Sequence, residues 1–353
     1  MQIDTSMPVM VSGSTGYVAG QIVARLLEAG ATVHAPVRDP GRADKLEALN
    51  EIASRTPGAI RYFKADLMDP GSYAEGMAGC GVVLHTASPF VTSVKDPQRE
   101  LVDPARLGTR NVLEEANRHE TVRRVVLTSS CAAIYGDCVD VANAPGGVLT
   151  EDVWNTTSSL QHQPYSYSKT VAEQEAWKLV EAQSRWDLVV INPSLVIGPG
   201  IRAHAGSESY SIVRQMGDGS MKQGAPRFGI GVVDVRDLAE AHLAAAFLPN
   251  ANGRNIISGH NTDLLQMAMT LLPRFGSEYP IPRKAMSKWL VWLLGPMIDK
   301  TLTRKVVQRN VDIAWNADNS KSIRELGITY RPMAESMNDM FAQMIAAGFF
   351  AKS

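Results

Sequence analysis

"VMVSGSTGYVAG", residues 9–20, runs from an apolar segment through two glycines into a helical pattern, "YVAGQIVARLLEAG". A short apolar run ended by a glycine turn predicts a buried strand, and the periodic segment behind it predicts a helix. Gly13 lets the chain turn. Gly16 lets backbone N–H groups come close to a ligand, and the helix N-terminus adds partial positive charge. Strand, glycine loop and helix in that order are what a dinucleotide pyrophosphate needs. Ala19 occupies the third position of the usual glycine pattern and is small enough for helix–strand packing, with Gly20 beside it. The alternative is a turn that serves only the fold; the order of elements favours the ligand.

Outward from this loop the chain keeps alternating. "ATVHAPV", "AIRYFKA", "GVVLHTAS", "RRVVLTSS" and "DLVVINPS" are apolar almost throughout, and helical patterns separate them: from about Pro40, near 97–119, and from Pro164. Such strands predict a parallel sheet covered on both faces, a doubly wound Rossmann α/β fold. Ligands of such sheets sit at the carboxyl ends of the strands. After residue 193 the alternation fails, then returns with "VVDVRDLAEAHLAAAFL" and "GRNIISG". The expected division is a dinucleotide-binding domain at 1–193 completed by 229–260, with 194–228 and 261–353 forming a smaller substrate-binding lobe. A cleft between the two follows.

Composition narrows the partners. Thirty-five basic residues against 36 acidic ones leave a formal charge of -1, with no basic block to track a phosphate backbone, so nucleic acid is not expected. Cys80, Cys131 and Cys138 have no metal-ligand spacing and cannot all pair, and no metal is expected. The N-terminus has neither a charged n-region nor an apolar h-region, which together with the cysteines points to the cytoplasm. "WLVWLLGPMI", residues 289–298, is far short of the ~20 residues that cross a bilayer. A helix packed into the C-terminal part or at a subunit contact is the expectation, an interfacial anchor the less supported alternative, and no membrane partner is expected.

"PYSYSKTVAEQEAW", residues 164–177, sets two tyrosines near one lysine. Helical residues four apart share a face, whereas residues two apart lie about 200° round the axis. Tyr165 and Lys169 should therefore face together and Tyr167 elsewhere. A phenol is a weak acid–base group at neutral pH unless an adjacent ammonium favours its ionised form. Ser129 and Ser130 end the strand "VVLTSS", where the site should lie.

These stretches, with the spacing Gly-x-x-Gly, "KADLMDPGSY", "VLHTASPF" and "INPSLVIGPG", resemble the extended short-chain dehydrogenase/reductases over nearly the whole chain. Within them, the dihydroflavonol reductase, cinnamoyl-CoA reductase and yeast-type aldehyde/ketone reductase group is the most similar. The resemblance implies Ser130, Tyr165 and Lys169 as the catalytic set, with Lys169 also binding the nicotinamide ribose. It leaves Ser129 to loop hydrogen bonds. It implies a cofactor site of Gly13, Thr15, Gly16, Tyr17 and Val18 at the phosphates, with Asp66 and Leu67 at the adenine. Thr86, Ala87 and Ser88 would lie beside pyrophosphate and ribose, and Pro193, Ser194, Leu195 and Val196 near the nicotinamide. Where many extended members carry Asn before Gly-Thr, this chain has Ala105, and Asn111 does not inherit that role. Asp234, Asp237, His85 and His162 are expected to be structural or solvated.

The second strand ends "APVRDP", and spacing alone leaves Arg38 and Asp39 both in contention for the adenosine ribose. The resemblance puts Val37 at the acidic position, Arg38 next to it and Lys45 at a second cation, which implies NADP, with NADPH preferred over NADH. Phe90 and Tyr135 should face the cleft and point to an apolar or aromatic carbonyl substrate, with core packing the alternative for both. The expected activity is hydride transfer between nicotinamide and an aldehyde or ketone, reversible as an alcohol dehydrogenase, by a monomer or homodimer. The alternatives are a sugar-nucleotide epimerase or dehydratase with tightly held NAD, and a non-catalytic nucleotide-sensing protein.

Overall fold

The computed structural model of the protein describes residues 1–88, 94–204 and 206–350. Ten strands form two sheets: β1 (Val9–Ser12), β2 (Thr32–Val37), β3 (Ala59–Lys64), β4 (Val82–His85), β5 (Arg124–Thr128), β6 (Asp187–Pro193), β7 (Leu195–Ile197), β8 (Gly229–Asp234), β9 (Gly253–Ile257) and β10 (His260–Asp263). Seven of them make a sheet of order β3-β2-β1-β4-β5-β6-β9, parallel at every pair, and β10-β8-β7 form a second, small sheet. The order reverses between β1 and β4, which opens a crevice at their carboxyl ends.

The main sheet is covered by α1 (Tyr17–Glu28), α2 (Ala43–Arg55), α3 (Ala74–Met77), α4 (Asp103–Ala116) and α5 (Pro164–Glu181). Next come α6 (Glu208–Gly217) and α7 (Val235–Phe247), of which α7 packs on the main sheet. Helical spacing explains α1: Ile22, Val23, Leu26 and Leu27, at i, i+1, i+4 and i+5, form one stripe and are buried, while Arg25 and Glu28 face solvent and pair with each other. Gly30, at φ +84°, ends it. α1 packs with the alanine-rich α7 on one face of the sheet, and α4 packs with α5 on the other. The sheet core between them is apolar on both faces, as continuous Val/Ile/Leu runs require.

Two boundaries differ from the sequence expectation. The helix expected from about Pro40 starts at Ala43, because Asp39 Oδ1 accepts the Gly41 N–H (2.9 Å) in a turn that consumes the residues between. Of the stretch 229–260, α7 and β9 join the main sheet, whereas β8 pairs with β7 and β10 in the small one.

The rest of the chain forms α8 (Leu264–Met269), α9 (Leu272–Phe275), α10 (Lys288–Ile298), α11 (Arg304–Asn310), α12 (Ser320–Leu326) and α13 (Met333–Ala346). Tyr210, Phe275, Phe341 and Met344 belong to a further hydrophobic cluster that also takes in Ile197 and Val232. α10, expected to be packed into the C-terminal part or at a subunit contact, buries only Val291 and Gly295 within this chain. All three cysteines are buried and free. No helix among the described residues is long and apolar enough to cross a membrane.

Candidate active site

At the β1–β4 crevice two hydroxyls tie the end of β1 to the end of β4, and one of them is that of Thr86, whose Oγ1 donates to Ser12 O at 2.6 Å. Ser12 Oγ accepts from the N–H groups of Thr86 and Ala87 (3.1 Å each) and lies 2.8 Å from His85 Nδ1. With both acceptor sites used, its only hydrogen goes to Nδ1, so His85 is neutral with its proton on Nε2. Burial, aided by the charge of Lys169, pushes His85 down to about 3. Gly13 has φ +68°, and a Cβ there would stand 3.0 Å from Ala87 Cα. Close backbone approach between the loop and the end of β4 thus requires glycine. At the third position the tight contact belongs to Gly20 rather than Ala19: a Cβ on Gly20 would lie 2.9 Å from the Ile201 side chain.

The first N–H groups of α1 have no acceptor inside the helix and open toward this loop. Val18 and Thr15 are half-buried beside them. Ser14 Oγ, in the same loop, is buried without a hydrogen-bond partner among the described residues. Orphan donors, an unpartnered buried hydroxyl and two glycines together fit a dinucleotide pyrophosphate. The Tyr17 side chain leaves the loop, donating to Gly198 O at 2.5 Å and packing edge-on against Tyr210.

Tyr165 and Lys169 share a face of α5, with Lys169 Nζ 5.8 Å from the centre of the Tyr165 ring. Tyr165 is 48% exposed, open to a ligand, while Lys169 is buried and donates to Ser88 Oγ at 3.0 Å. Ser130 follows β5 and caps a turn at 131–133, its Oγ accepting from Ala132 N–H at 3.1 Å. That turn packs on α5, which brings Ser130 and Tyr165 to one end of the sheet. The hydroxyl hydrogen of Ser130 has no acceptor among the described residues. Beneath them Ala105, Thr109, Lys169 and Glu173 line a small cavity.

The support below this group escaped the sequence reading. Glu173, two turns beyond Tyr165 and fully buried, accepts from Ser129 Oγ (2.5 Å), Asn192 Nδ2 (2.8 Å) and Arg254 Nε (2.6 Å). Ser129 was expected to bond loop backbone; its hydroxyl instead joins this buried carboxylate. Arg254 goes on to the carbonyls of Glu151 and Val153 (2.7 and 2.6 Å) and stacks on Trp154. Asp137 is a second such centre, accepting from His162 Nε2, Arg309 Nε, Asn310 Nδ2 and Gln163 Nε2. Burial would raise the Asp137 carboxyl, but the bonds from His162, Asn310, Gln163 and Arg309 outweigh it and hold the group below the usual range. These partners fix Gln163, left-handed at φ 55°, immediately before Pro164 and Tyr165. The signal in the sequence was only a Glu four residues past Lys169.

The remaining expected residues are spread round the crevice. Arg38 and Lys45 are exposed and make no ion pair among the described residues, whereas Arg42 between them is bound by Asp44. Asp39 is turned into its own Gly41 N–H. Asp66 Oδ1 accepts Met68 N–H (2.8 Å), and Asn111 holds Leu67 O at 2.9 Å. Pro193 ends β6, Ser194 N–H bonds Ile257 O (3.1 Å), and Leu195 and Val196 lie in β7. Tyr135 is half-buried and packs on Trp315, which raises its hydroxyl well above its ordinary value by burial. Phe90 lies outside the described residues. Asp234 caps α7 and binds Arg236, and Asp237 accepts Arg331 N–H, so both are structural. No group of three His, Cys, Asp or Glu among the described residues could hold a metal ion.

Comparison with known proteins adds a family to this geometry. The model of the NAD dependent epimerase/dehydratase family matches residues 9–257. The chain is 35% identical over 271 residues to cinnamoyl-CoA reductase CAD2 of Medicago truncatula, covering 75% of this chain and 81% of that protein. It is 31% identical over 350 residues to tetraketide alpha-pyrone reductase 1 of Arabidopsis thaliana, 97% of each. Among solved structures, Gre2 of Candida albicans in complex with NADPH has a TM-score of 0.77 at 27% identity, over 97% of this chain and 99% of that one.

Proposed function

Since the chain belongs to the NAD dependent epimerase/dehydratase family of extended short-chain dehydrogenase/reductases and is an NAD(P)-dependent oxidoreductase, we propose that it reduces apolar or aromatic aldehydes or ketones with NADPH. The observation that carries the reading is the placement of a buried, Ser88-bound Lys169 over the exposed Tyr165 ring at the mouth of the crevice.

Gly13, Gly16, Thr15, Tyr17 and Val18 would hold the pyrophosphate by backbone, with Asp66 and Leu67 at the adenine. Thr86, Ala87, Ser88 and the run Pro193 to Val196 would line the ribose and nicotinamide. Arg38 and Lys45 would meet a 2′-phosphate, a role that suits two cations without an acid partner. Bound there, the reduced cofactor supplies a hydride to the carbonyl carbon. Ser130 donates its free O–H to the substrate oxygen and polarises it. Tyr165 gives its phenolic proton to the same oxygen as charge builds there, and the Lys169 ammonium favours the phenolate left behind. Lys169 would also hold the nicotinamide ribose. Segments 194–228 and 261–353 close over the strand ends as the substrate-binding lobe, with Tyr135 at its edge. The reaction runs backwards on an alcohol, in the cytoplasm.

Tyr165→Phe should cut kcat by about 10²- to 10⁴-fold while leaving NADPH affinity within about twofold, and Tyr167→Phe should cost little. Equal losses from both variants would overturn the assignment. Stoichiometric nicotinamide retained through purification, with no turnover of added cofactor on any aldehyde or ketone, would favour an epimerase instead.

A further inference from the structure

α10 turns an unusual face to solvent. At about 100° per residue, Trp289, Leu293, Met297, Leu290, Leu294 and Ile298 follow one another round a continuous arc of about 180°. All six are exposed, Met297 by 83% and Ile298 by 78%. The other half of the helix is spent on the lobe. Val291 and Gly295 are buried, Lys288 Nζ donates to the carbonyls of Gln308 and Val311, and Trp292 lies under the Arg304 guanidinium. The outward arc therefore holds no polar residue, the reverse of what a solvent-facing helix carries.

Charge around this arc is mostly cationic, with the acids Asp299 and Glu208 near each other at its end. Between residues 283 and 305 stand Arg283, Lys284, Lys288, Lys300, Arg304 and Lys305 against the single acid Asp299, in a chain whose overall charge is -1. Lys284, Lys300 and Lys305 are exposed and make no ion pair among the described residues. At about 16 Å the helix is too short to span a bilayer but long enough to lie in its interface. A second copy seated here by two-fold symmetry would press the patch on itself and set cationic rim against cationic rim. An anionic surface pairs with that rim instead.

We propose that the apolar face of α10 docks on an anionic lipid surface, the helix lying in the interfacial plane with Lys284, Lys300 and Lys305 among the headgroups. Vesicles of phosphatidylcholine, alone or mixed with phosphatidylserine, provide the test by co-sedimentation. The protein is expected to pellet with the mixed vesicles, to stay in solution with phosphatidylcholine alone, and to be released by high salt. Leu293→Glu/Met297→Glu should abolish pelleting without changing the near-UV circular dichroism or thermal transition. Lys284→Gln/Lys300→Gln should lower the partition coefficient by roughly 25-fold, about fivefold per charge. Failure to pellet with the mixed vesicles overturns the proposal, as does pelleting that Leu293→Glu/Met297→Glu leaves intact. A dimer in light scattering that this variant dissociates, with no vesicle binding, would show that a second copy covers the face.

Discussion

On the β1–β4 wall of the crevice the hydroxyls of Ser12 and Thr86 and a neutral His85 tie the strand ends together, whereas the opposite wall hangs on Glu173 and Asp137, whose partners come from as far as 81 and 173 residues away. The first wall is built from backbone, small residues and glycine conformations. The second is built from buried charge. Buried ion pairs of this kind contribute little net stability while both partners stand, but losing one leaves an uncompensated charge in a low dielectric. The two walls should therefore fail differently.

The largest effect is expected at Glu173. Glu173→Leu leaves Arg254 buried without its carboxylate and should cost about 3–5 kcal/mol in denaturant unfolding, with much of the loss recovered in Glu173→Leu/Arg254→Met. Additive losses in the double variant would mean that the pair is not the unit holding this wall. On the nucleotide side, Arg38→Ala should weaken NADPH by about 10- to 100-fold and NADH far less, read by cofactor titration. A kcat/KM at least as high with NADH in the unmodified protein would assign the ribose to Asp39. Gly13→Ala imposes a φ of +68° on a residue with a Cβ and crowds Ala87. A loss of about 1–2 kcal/mol of stability should accompany weaker cofactor binding, and an unchanged thermal transition would break the close-approach argument.

Acid separates the walls by a smaller margin. The unfolded chain protonates His85 near 6.5 while the folded one resists until about 3, so this group withdraws stability as pH falls through that window. Asp137 is shifted down from 3.8, so its contribution is present above that value and is lost only as pH falls through its lower folded value. His85→Gln should therefore reduce the slope of unfolding free energy against pH between about 4.5 and 6 by one proton, and leave the steep loss below about pH 4 in place. A slope equal to that of the unmodified protein would show that His85 is protonated in the native state.

Much of this was legible without coordinates. Glycine spacing, apolar strands and alternating helices announce a doubly wound parallel sheet because each signal is local: a turn, a period, a run. Tyr165 and Lys169 meet in the structure because 3.6-residue periodicity alone puts them on one face. The ion pair of Arg42 with Asp44, between the exposed Arg38 and Lys45, was not legible. The start of α2 slipped by three residues because Asp39 closes a turn first.

The sequence by itself determined the nucleotide-binding order of elements, the face shared by Tyr165 and Lys169, and the absence of any apolar run long enough to span a bilayer. The tertiary structure decided how Tyr165 is held, through Asp137, Arg309 and Glu173, and it decided that β8 leaves the main sheet. It also decided which half of α10 is covered. The physical reason is range. Periodicity and turn chemistry act over a few residues, whereas a buried carboxylate takes partners wherever the folded chain delivers a donor, and the burial of a helix face depends on what packs against it.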